Sequence, residues 1–268
     1  MKSISILLGF CLIGLGVAAQ EKMSQKEQKK QAKREKINQM VRLEEEGESA
    51  FKKHSLFSIK MHTDGYGITY ERGKIKSPYK ATLFQIELNE KKHKKEERQS
   101  RSDGAVVFGN PFIYGKQNNF YQFKVGLGQQ YMLGGKANKN GVGVYAIFAG
   151  GLSLGLLKPY YLDVESPPNS GEVISIKYSQ ADSAEFMGAG ILGATGFGKG
   201  WSELKLVPGL HAKTGLRFDW GRFNNSVSAA EVGFTFEYYP GKVEQMVGIK
   251  PNNMFFNGYL AFVFGSRK

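Results

Sequence analysis

Few side chains in this sequence could carry acid–base or nucleophilic chemistry. The chain has four histidines, His54, His62, His93 and His211, and one cysteine, Cys11. An enzyme needs a nucleophile and a base held together in one site, and no serine and acid accompany these histidines at a persuasive spacing. The sequence therefore predicts no catalytic residues, no metal ligands and no cofactor.

Two glycine-rich spacings resemble nucleotide-binding motifs but lack the parts that those motifs require. Gly188-x-Gly190-x-x-Gly193 has the dinucleotide-binding spacing, and residues 193–199 come close to a phosphate-binding loop. The first motif needs a helix directly after its glycines, and the second needs Ser or Thr where Gly200 stands. A β pattern follows instead, which indicates a glycine-rich loop.

The first 20 residues have the layout of a secretory signal peptide. Lys2 precedes the apolar run 4–17, and Ala18-Ala19-Gln20 supplies small residues at the exit. The run is shorter than the about 20 residues of a membrane span, which favours a cleaved signal over an uncleaved anchor. Cleavage removes the only cysteine, so disulfides and thiolate metal sites are excluded. It also lowers the formal net charge to 13 − 1 = +12.

A basic exported chain seldom meets nucleic acid, so lipid or acidic-polymer contacts are the better expectation for its partners. Residues 21–53 are rich in Lys, Glu and Gln and predict a charged helix with a narrow apolar stripe. Two interpretations stay open for this segment: a solvated helix, or a periplasmic docking helix for envelope protein partners.

From residue 54 to residue 268, the pattern changes to the period-two alternation of β-strands. Eight strands are predicted, over residues 56–62, 66–72, 80–88, 120–131, 142–156, 206–220, 226–238 and 254–265. From the second strand onward, short links alternate with long ones, as in an up-and-down barrel with both chain ends on the periplasmic side. The link 63–65 departs from this rule because it is short where a long loop is expected.

One face of each strand is apolar and the other is polar or small, which fits either a soluble sandwich or a membrane barrel. Aromatic residues near strand ends, small and charge-balanced polar faces, and the export signal favour the membrane barrel. We predict an all-β, antiparallel, up-and-down transmembrane barrel of about eight strands that follows a charged N-terminal periplasmic helix.

The polar faces place ionisable side chains in the lumen, and charges there must pair because an eight-stranded barrel has room for side chains only. We predict a salt-bridged polar network that plugs the lumen, with a narrow ion path as the alternative. Its members are Lys60, His62, Glu71, Glu87, Lys124, His211, Lys213, Arg217, Asp219, Glu231 and Glu237.

A run of basic residues begins the first long loop. Such a run either contacts anions, such as the phosphates of lipopolysaccharide, or forms a solvated loop tip. The run consists of Lys91, Lys92, Lys94, Lys95, Arg98 and Arg101.

Several segments in this order carry a resemblance to a known family: the end of the signal at 18–20, the segment 59–67, the glycine-rich strand 149–155 and the closing segment 260–264. On these, residues 54–265 resemble outer-membrane β-barrel proteins of the Bacteroidota type. Gly-Ser-Arg-Lys after Phe264 departs from barrels that end on the aromatic residue. The family is mostly uncharacterised, so the resemblance implies a single barrel in the cell outer membrane and no catalytic residues.

Together these observations predict an outer-membrane barrel with a plugged lumen that serves as a structural or binding component. The role would be that of an accessory subunit of a cell-envelope complex, or of a surface contact. An enzyme that modifies outer-membrane lipids and a narrow channel are the alternatives.

Overall fold

The computed structural model describes residues 27–32, 34–35, 38, 51–103, 106–136, 141–165, 171–181, 183–188, 190–221 and 225–268, without the side chains of 101–103 and 106–108. The chain divides into two units, Met1–Ala50 and Phe51–Lys268. In the first unit, the described residues are helical and exposed. The predicted signal peptide, residues 1–20, lies outside the described residues. Among those described, no helix is long and apolar enough to cross a membrane.

The second unit is made almost entirely of strands, as its alternating sequence predicts. Their bounds are β1 (Lys53–His62), β2 (Gly65–Ser77), β3 (Lys80–Lys91), β4 (Arg98–Asp103), β5 (Val106–Ile113), β6 (Asn118–Gly134), β7 (Gly143–Pro159), β8 (Tyr161–Glu165), β9 (Val173–Lys177), β10 (Ile191–Ala194), β11 (Lys205–Asp219), β12 (Ser226–Val243) and β13 (Asn252–Arg267).

Eight of these strands close into one antiparallel barrel, in the order β1-β13-β12-β11-β7-β6-β3-β2. Closure joins the first strand to the last, with Phe57 opposite Phe264. The backbone N–H of Lys53 donates to the carbonyl of Lys268 at 2.8 Å, and the reverse bond measures 2.7 Å. The predicted eight-stranded, antiparallel, up-and-down barrel is confirmed. Its strands extend past most predicted bounds, and β1 already begins at Lys53.

The two ends of the barrel differ. The start of β1, the end of β13 and the strand ends joined by the short links 78–79, 135–142 and 220–225 lie at one end, called here the terminal end. The opposite end, called here the loop end, carries the long connections 92–117 and 160–204. The predicted exception also stands: β1 and β2 are joined there by Thr63 and Asp64 alone.

The long connections contain structure that the sequence did not predict. β4 pairs with β5, and β8 lies between β9 and β10 in a small sheet. They share a core of their own, built from buried Phe112, Leu162, Val164, Phe186 and Ile191. We call this assembly the loop module. β10 directly follows Gly190 and contains Gly193, so the dinucleotide-like glycines run into a strand and not into the helix that their motif would need.

The barrel is apolar outside and polar inside, which is the reverse of a soluble sandwich. Outward side chains such as Leu152 and Phe256 are each 70% exposed. The same outer surface carries Phe57, Ile59, Ile68, Phe84, Leu88, Leu127, Phe148, Leu210, Phe234 and Phe262, all exposed.

Apolar layers close the interior near both ends. At the loop end, Phe120, Leu157, Val207, Tyr239 and Phe255 belong to one buried cluster. At the terminal end, one cluster centres on Leu56 and Val263, and a second holds Leu83 and Ile147. The sequence predicted only a polar interior, and these layers leave the charged side chains confined between them.

Candidate functional site

The charged lumen is the site that the fold assembles most completely. The structure buries all eleven predicted lumen residues, each with 9% exposure or less. They arrive from β1, β2, β3, β6, β11 and β12, and strand alternation turns each of them inward. Non-adjacent strands therefore meet through side chains across the interior.

Arg217 is the centre of the cluster nearer the terminal end. Its guanidinium donates two hydrogen bonds to Glu71, from Nη1 to Oε1 and from Nη2 to Oε2, both at 2.8 Å. It also donates from Nε to Glu231 Oε2 at 2.9 Å and from Nη1 to Gln130 at 3.2 Å. Such forked, charge-assisted contacts are the strong form of a buried ion pair. Arg217 thereby ties β11 to β2, β6 and β12.

Lys213 and Lys60 continue the network toward the middle of the barrel. Lys213 Nζ lies 3.3 Å from Glu87 Oε1 and 3.5 Å from Glu231 Oε1. Lys60 pairs with the same Glu87, and the hydroxyl of Tyr259 donates to Glu231 at 2.7 Å. Glu87 and Glu231 thus each have more than one cationic or hydroxyl partner.

A second cluster lies nearer the loop end and centres on Glu237, which pairs with Lys124. Lys91 Nζ lies 3.4 Å from Glu237 Oε2 and 2.9 Å from Asp64 Oδ1. Lys91 is 1% exposed, so its assignment to the exposed basic run was wrong. Strand β3 continues past residue 88, where the predicted strand stopped, and this extension turns Lys91 into the lumen.

This correction also balances the charge of the lumen. The predicted set holds five carboxylates and only four bases, whereas Lys91 brings the bases of this lumen set to five. The carboxylates are Glu71, Glu87, Asp219, Glu231 and Glu237, and the bases are Lys60, Lys91, Lys124, Lys213 and Arg217. At the terminal end, Asp219 further accepts from Arg267 at 2.7 Å.

Several further members of the network were missed by the sequence analysis. His54 Nε2 lies 3.0 Å from Glu71 Oε1, and Gln85 donates to the other oxygen of Glu71. Gln122 donates to Glu237 at 2.8 Å. If the predicted first strand had begun at residue 53, strand alternation would have placed His54 inside, on the same face as Lys60. Nothing in the sequence distinguishes these amides from those of exposed strand positions.

The side chains of the two predicted lumen histidines lie in the interior of the barrel. His62 is 8% exposed and His211 is 9% exposed. His62 Nε2 contacts Asn89 Oδ1 at 3.3 Å. His211 packs against Gly126 so closely that a Cβ atom added to this glycine would lie 3.0 Å from the Nε2 of His211. Within the described part of the chain, no group of three or more His, Cys, Asp or Glu could hold a metal ion. Neither imidazole lies where a membrane lipid could reach it.

The remaining basic run lies on the surface at the loop end. Lys92, Lys94, Lys95 and Arg98 are exposed, and the side chain of Arg101 lies outside the described residues. The run turns tightly, because Glu96 accepts the backbone N–H of His93 at 2.9 Å. We call Lys92, Lys94, Lys95 and Arg98 the basic rim.

Comparisons with known proteins found no matching family model and no matching curated relative. Among solved structures, the chain is similar to the attachment invasion locus protein Ail of Yersinia pestis, at 11% identity over 81% of this chain and 99% of Ail, with a TM-score of 0.35. Neisserial surface protein A is similar at 12% identity over 82% and 98% of the two chains, with a TM-score of 0.39. The N-terminal β-barrel domain of Pseudomonas aeruginosa OprF is similar at 11% identity over 82% and 98%, with a TM-score of 0.34. Similarity this distant assigns no function to the chain.

Proposed function

We propose that this chain is an outer-membrane β-barrel with a closed lumen, which acts as a structural or binding component of the cell envelope. One observation carries the proposal: the exposed outer face is apolar all round, while ten charged side chains are buried and paired inside. Apolar side chains on the outside of a barrel are stable against acyl chains and not against water. Paired charges between two apolar layers leave no continuous polar path.

The barrel is tested by adding the purified protein to planar bilayers and to detergent-free buffer. We expect folding only with detergent or lipid, and no single-channel conductance, because the lumen is filled by side chains. A soluble monomer without detergent would contradict the membrane placement. Steady single-channel currents would instead favour the narrow-channel alternative.

The export route and orientation belong to the same proposal. Residues 1–20 serve as a signal peptide that is removed, and the chain ends face the periplasm. The loop module and the basic rim then lie outside the cell. Protease added to intact cells should cut in the long connections and spare the terminal end. Cutting at the terminal end alone would reverse the orientation.

The basic rim is the part of this surface suited to anions, because four cationic side chains are exposed on one short segment. We propose that it contacts phosphates of lipopolysaccharide. Reversing Lys92, Lys94 and Lys95 to Glu should lower detergent resistance of cells. Reversal of Arg72, Lys74 and Lys76, three exposed basic residues toward the terminal end, is the matched control. Equal effects of both variants would refute a specific role for the rim.

Residues 21–53 carry the accessory-subunit part of the proposal. We expect this charged segment ahead of the barrel to bind envelope proteins in the periplasm. Affinity purification from membranes of the whole chain and of a chain without residues 21–50 tests this, since Phe51 to Lys53 already pack or pair with the barrel. The same partners recovered with both chains would refute it.

The alternative of a lipid-modifying enzyme would require a nucleophile and a base near the lipid-facing rim. The burial of His62 and His211 inside the lumen does not favour it. Unchanged lipid A mass spectra after alanine replacement of both would exclude these histidines from such an activity.

A further inference from the structure

The connection between β10 and β11, residues 195–204, folds back onto the outside of the barrel wall. Trp201 stacks on Tyr121 of β6, with ring centroids 5.6 Å apart and planes 18° apart. Tyr121 occupies an outward position, because its neighbours Phe120 and Gln122 are both buried in the lumen. This part of the loop module therefore reaches the outer face of the barrel next to the apolar belt.

Lys158 holds the connection in place from beneath. It lies on the outward side of β7 but is only 3% exposed. Its Nζ donates to the carbonyl of Phe197 at 2.5 Å and lies 4.5 Å and 4.9 Å from the ring centroids of Phe197 and Trp201. Trp201 Nε1 donates to the same carbonyl at 3.0 Å. Gly200, with φ 89°, permits the turn between them.

The two rings are fixed by this arrangement and yet remain open to the outside. Phe197 is 70% exposed and Trp201 is 40% exposed, although apolar side chains in the loop module's own core are fully buried. Leu206, at the start of β11, continues the exposed apolar surface at 57% exposure. Rigid aromatic rings beside an apolar belt are typical of the membrane–water interface.

Three cations and two carboxylates of the described residues lie around the rings. The cations are Lys158, Lys177 and Lys199. Glu203 pairs with Lys177, and Glu90 acts on Lys158 and accepts a hydrogen bond from Tyr66. The hydrogen bond from Lys177 lowers the pKa of Glu203, and the hydroxyl of Tyr161 donates to the same carboxylate at 2.7 Å. Lys199 is exposed and lies over the ring of Tyr161, 5.0 Å from its centroid. Its ammonium forms no salt bridge within the described residues, and Glu203, the carboxylate whose pKa it helps to lower, is already bonded by Lys177.

We propose that Phe197 and Trp201 form a membrane anchor that seats the phosphate of an anionic lipid headgroup at Lys199. Lys158 is the positioning residue, since it fixes both rings without being accessible itself. The anchor rests on the proposed membrane barrel and adds to it a specific lipid contact made by a loop. The rings enter the interface, and the exposed ammonium lies at headgroup level beside them.

The sequence provides matched reporters for a test, because Trp201 and Trp220 are its only tryptophans. Trp220→Phe leaves Trp201 as the sole reporter, and Trp201→Phe leaves Trp220, which lies at the terminal end and is 45% exposed. Each protein is folded into phosphatidylcholine vesicles with a small fraction of brominated lipid, and fluorescence quenching is measured. The quencher is either brominated phosphatidylcholine or brominated phosphatidylglycerol at the same fraction.

We expect both tryptophans to be quenched, and Trp201 to be quenched more by the anionic lipid than by the neutral one. Lys199→Gln should lower that preference about fivefold, as expected for the ~1 kcal/mol that one basic residue contributes near an anionic surface. Lys250→Gln, at an exposed lysine of another loop, is the control and should leave the preference unchanged.

The outcomes separate this anchor from the barrel itself. Quenching of Trp220 without quenching of Trp201 would overturn the anchor and leave the barrel intact. Equal quenching of Trp201 by both lipids, or no effect of Lys199→Gln, would overturn the phosphate site. If neither tryptophan is quenched, the membrane placement fails, and the anchor fails with it.

Discussion

Replacing Arg217 by Met should destabilise the folded barrel more than any other single loss of charge. Arg217 bonds both Glu71 and Glu231, and its removal leaves these two buried carboxylates without their main partner. Breaking a buried ion pair in this way costs about 3–5 kcal/mol. Met fills most of the volume, so a large cavity is not part of the cost.

The partners that Glu71 and Glu231 keep in the Arg217→Met variant decide where in this range the loss of stability falls. Glu71 keeps His54 at 3.0 Å, and Glu231 keeps Tyr259 at 2.7 Å and Lys213 at 3.5 Å. We therefore expect the lower end, ~3 kcal/mol. With an m-value of roughly 2 kcal/mol per molar, this lowers the urea midpoint by about 1.5 M.

The assay is reversible urea unfolding in lipid vesicles, followed by tryptophan fluorescence. Arg98→Met is the matched control, because Arg98 is exposed and such surface changes stay within about 0.5 kcal/mol. The double variant Arg217→Met/Glu231→Gln keeps the lumen neutral and should recover part of the loss. If Arg217→Met shifts the midpoint no more than Arg98→Met, the buried network does not stabilise the fold as argued.

Three further predictions concern the interior. Lys91→Met should lower stability by about 2 kcal/mol in the same assay because Asp64 loses its cation while Glu237 keeps Lys124, whereas Lys92→Met, at its exposed neighbour, should change stability little; equal effects would return Lys91 to the surface. Phe120→Ala, at a fully buried ring, should cost about 3–5 kcal/mol, and an unchanged midpoint would mean that the loop-end apolar layer is not packed. Gly233→Val should prevent folding, because its Cβ would lie 2.6 Å from the Cα of Gly215 on the neighbouring strand; the folded fraction on unheated gels measures this, and normal yield would contradict the close approach.

The barrel fold could be predicted from the sequence because strand alternation is a local property. A side chain in a strand points to the face opposite its neighbour's, so parity alone assigns Lys60, Glu87 and Arg217 to one side. The nature of the two faces then distinguishes an inside from an outside. The number of strands followed from the same pattern, and the structure agrees with it.

Tertiary structure alone decided what depends on neighbours distant in sequence. Lys91 is a lumen residue only because β3 continues beside β2 and β6, and Glu237 reaches it from the opposite wall. The core of the loop module joins Phe112 to Leu162 and Ile191, which no local period connects. Lys158 is covered because a loop 39 residues further along returns to it. Pairing across a barrel and packing between loops are non-local contacts, so no window of sequence contains them.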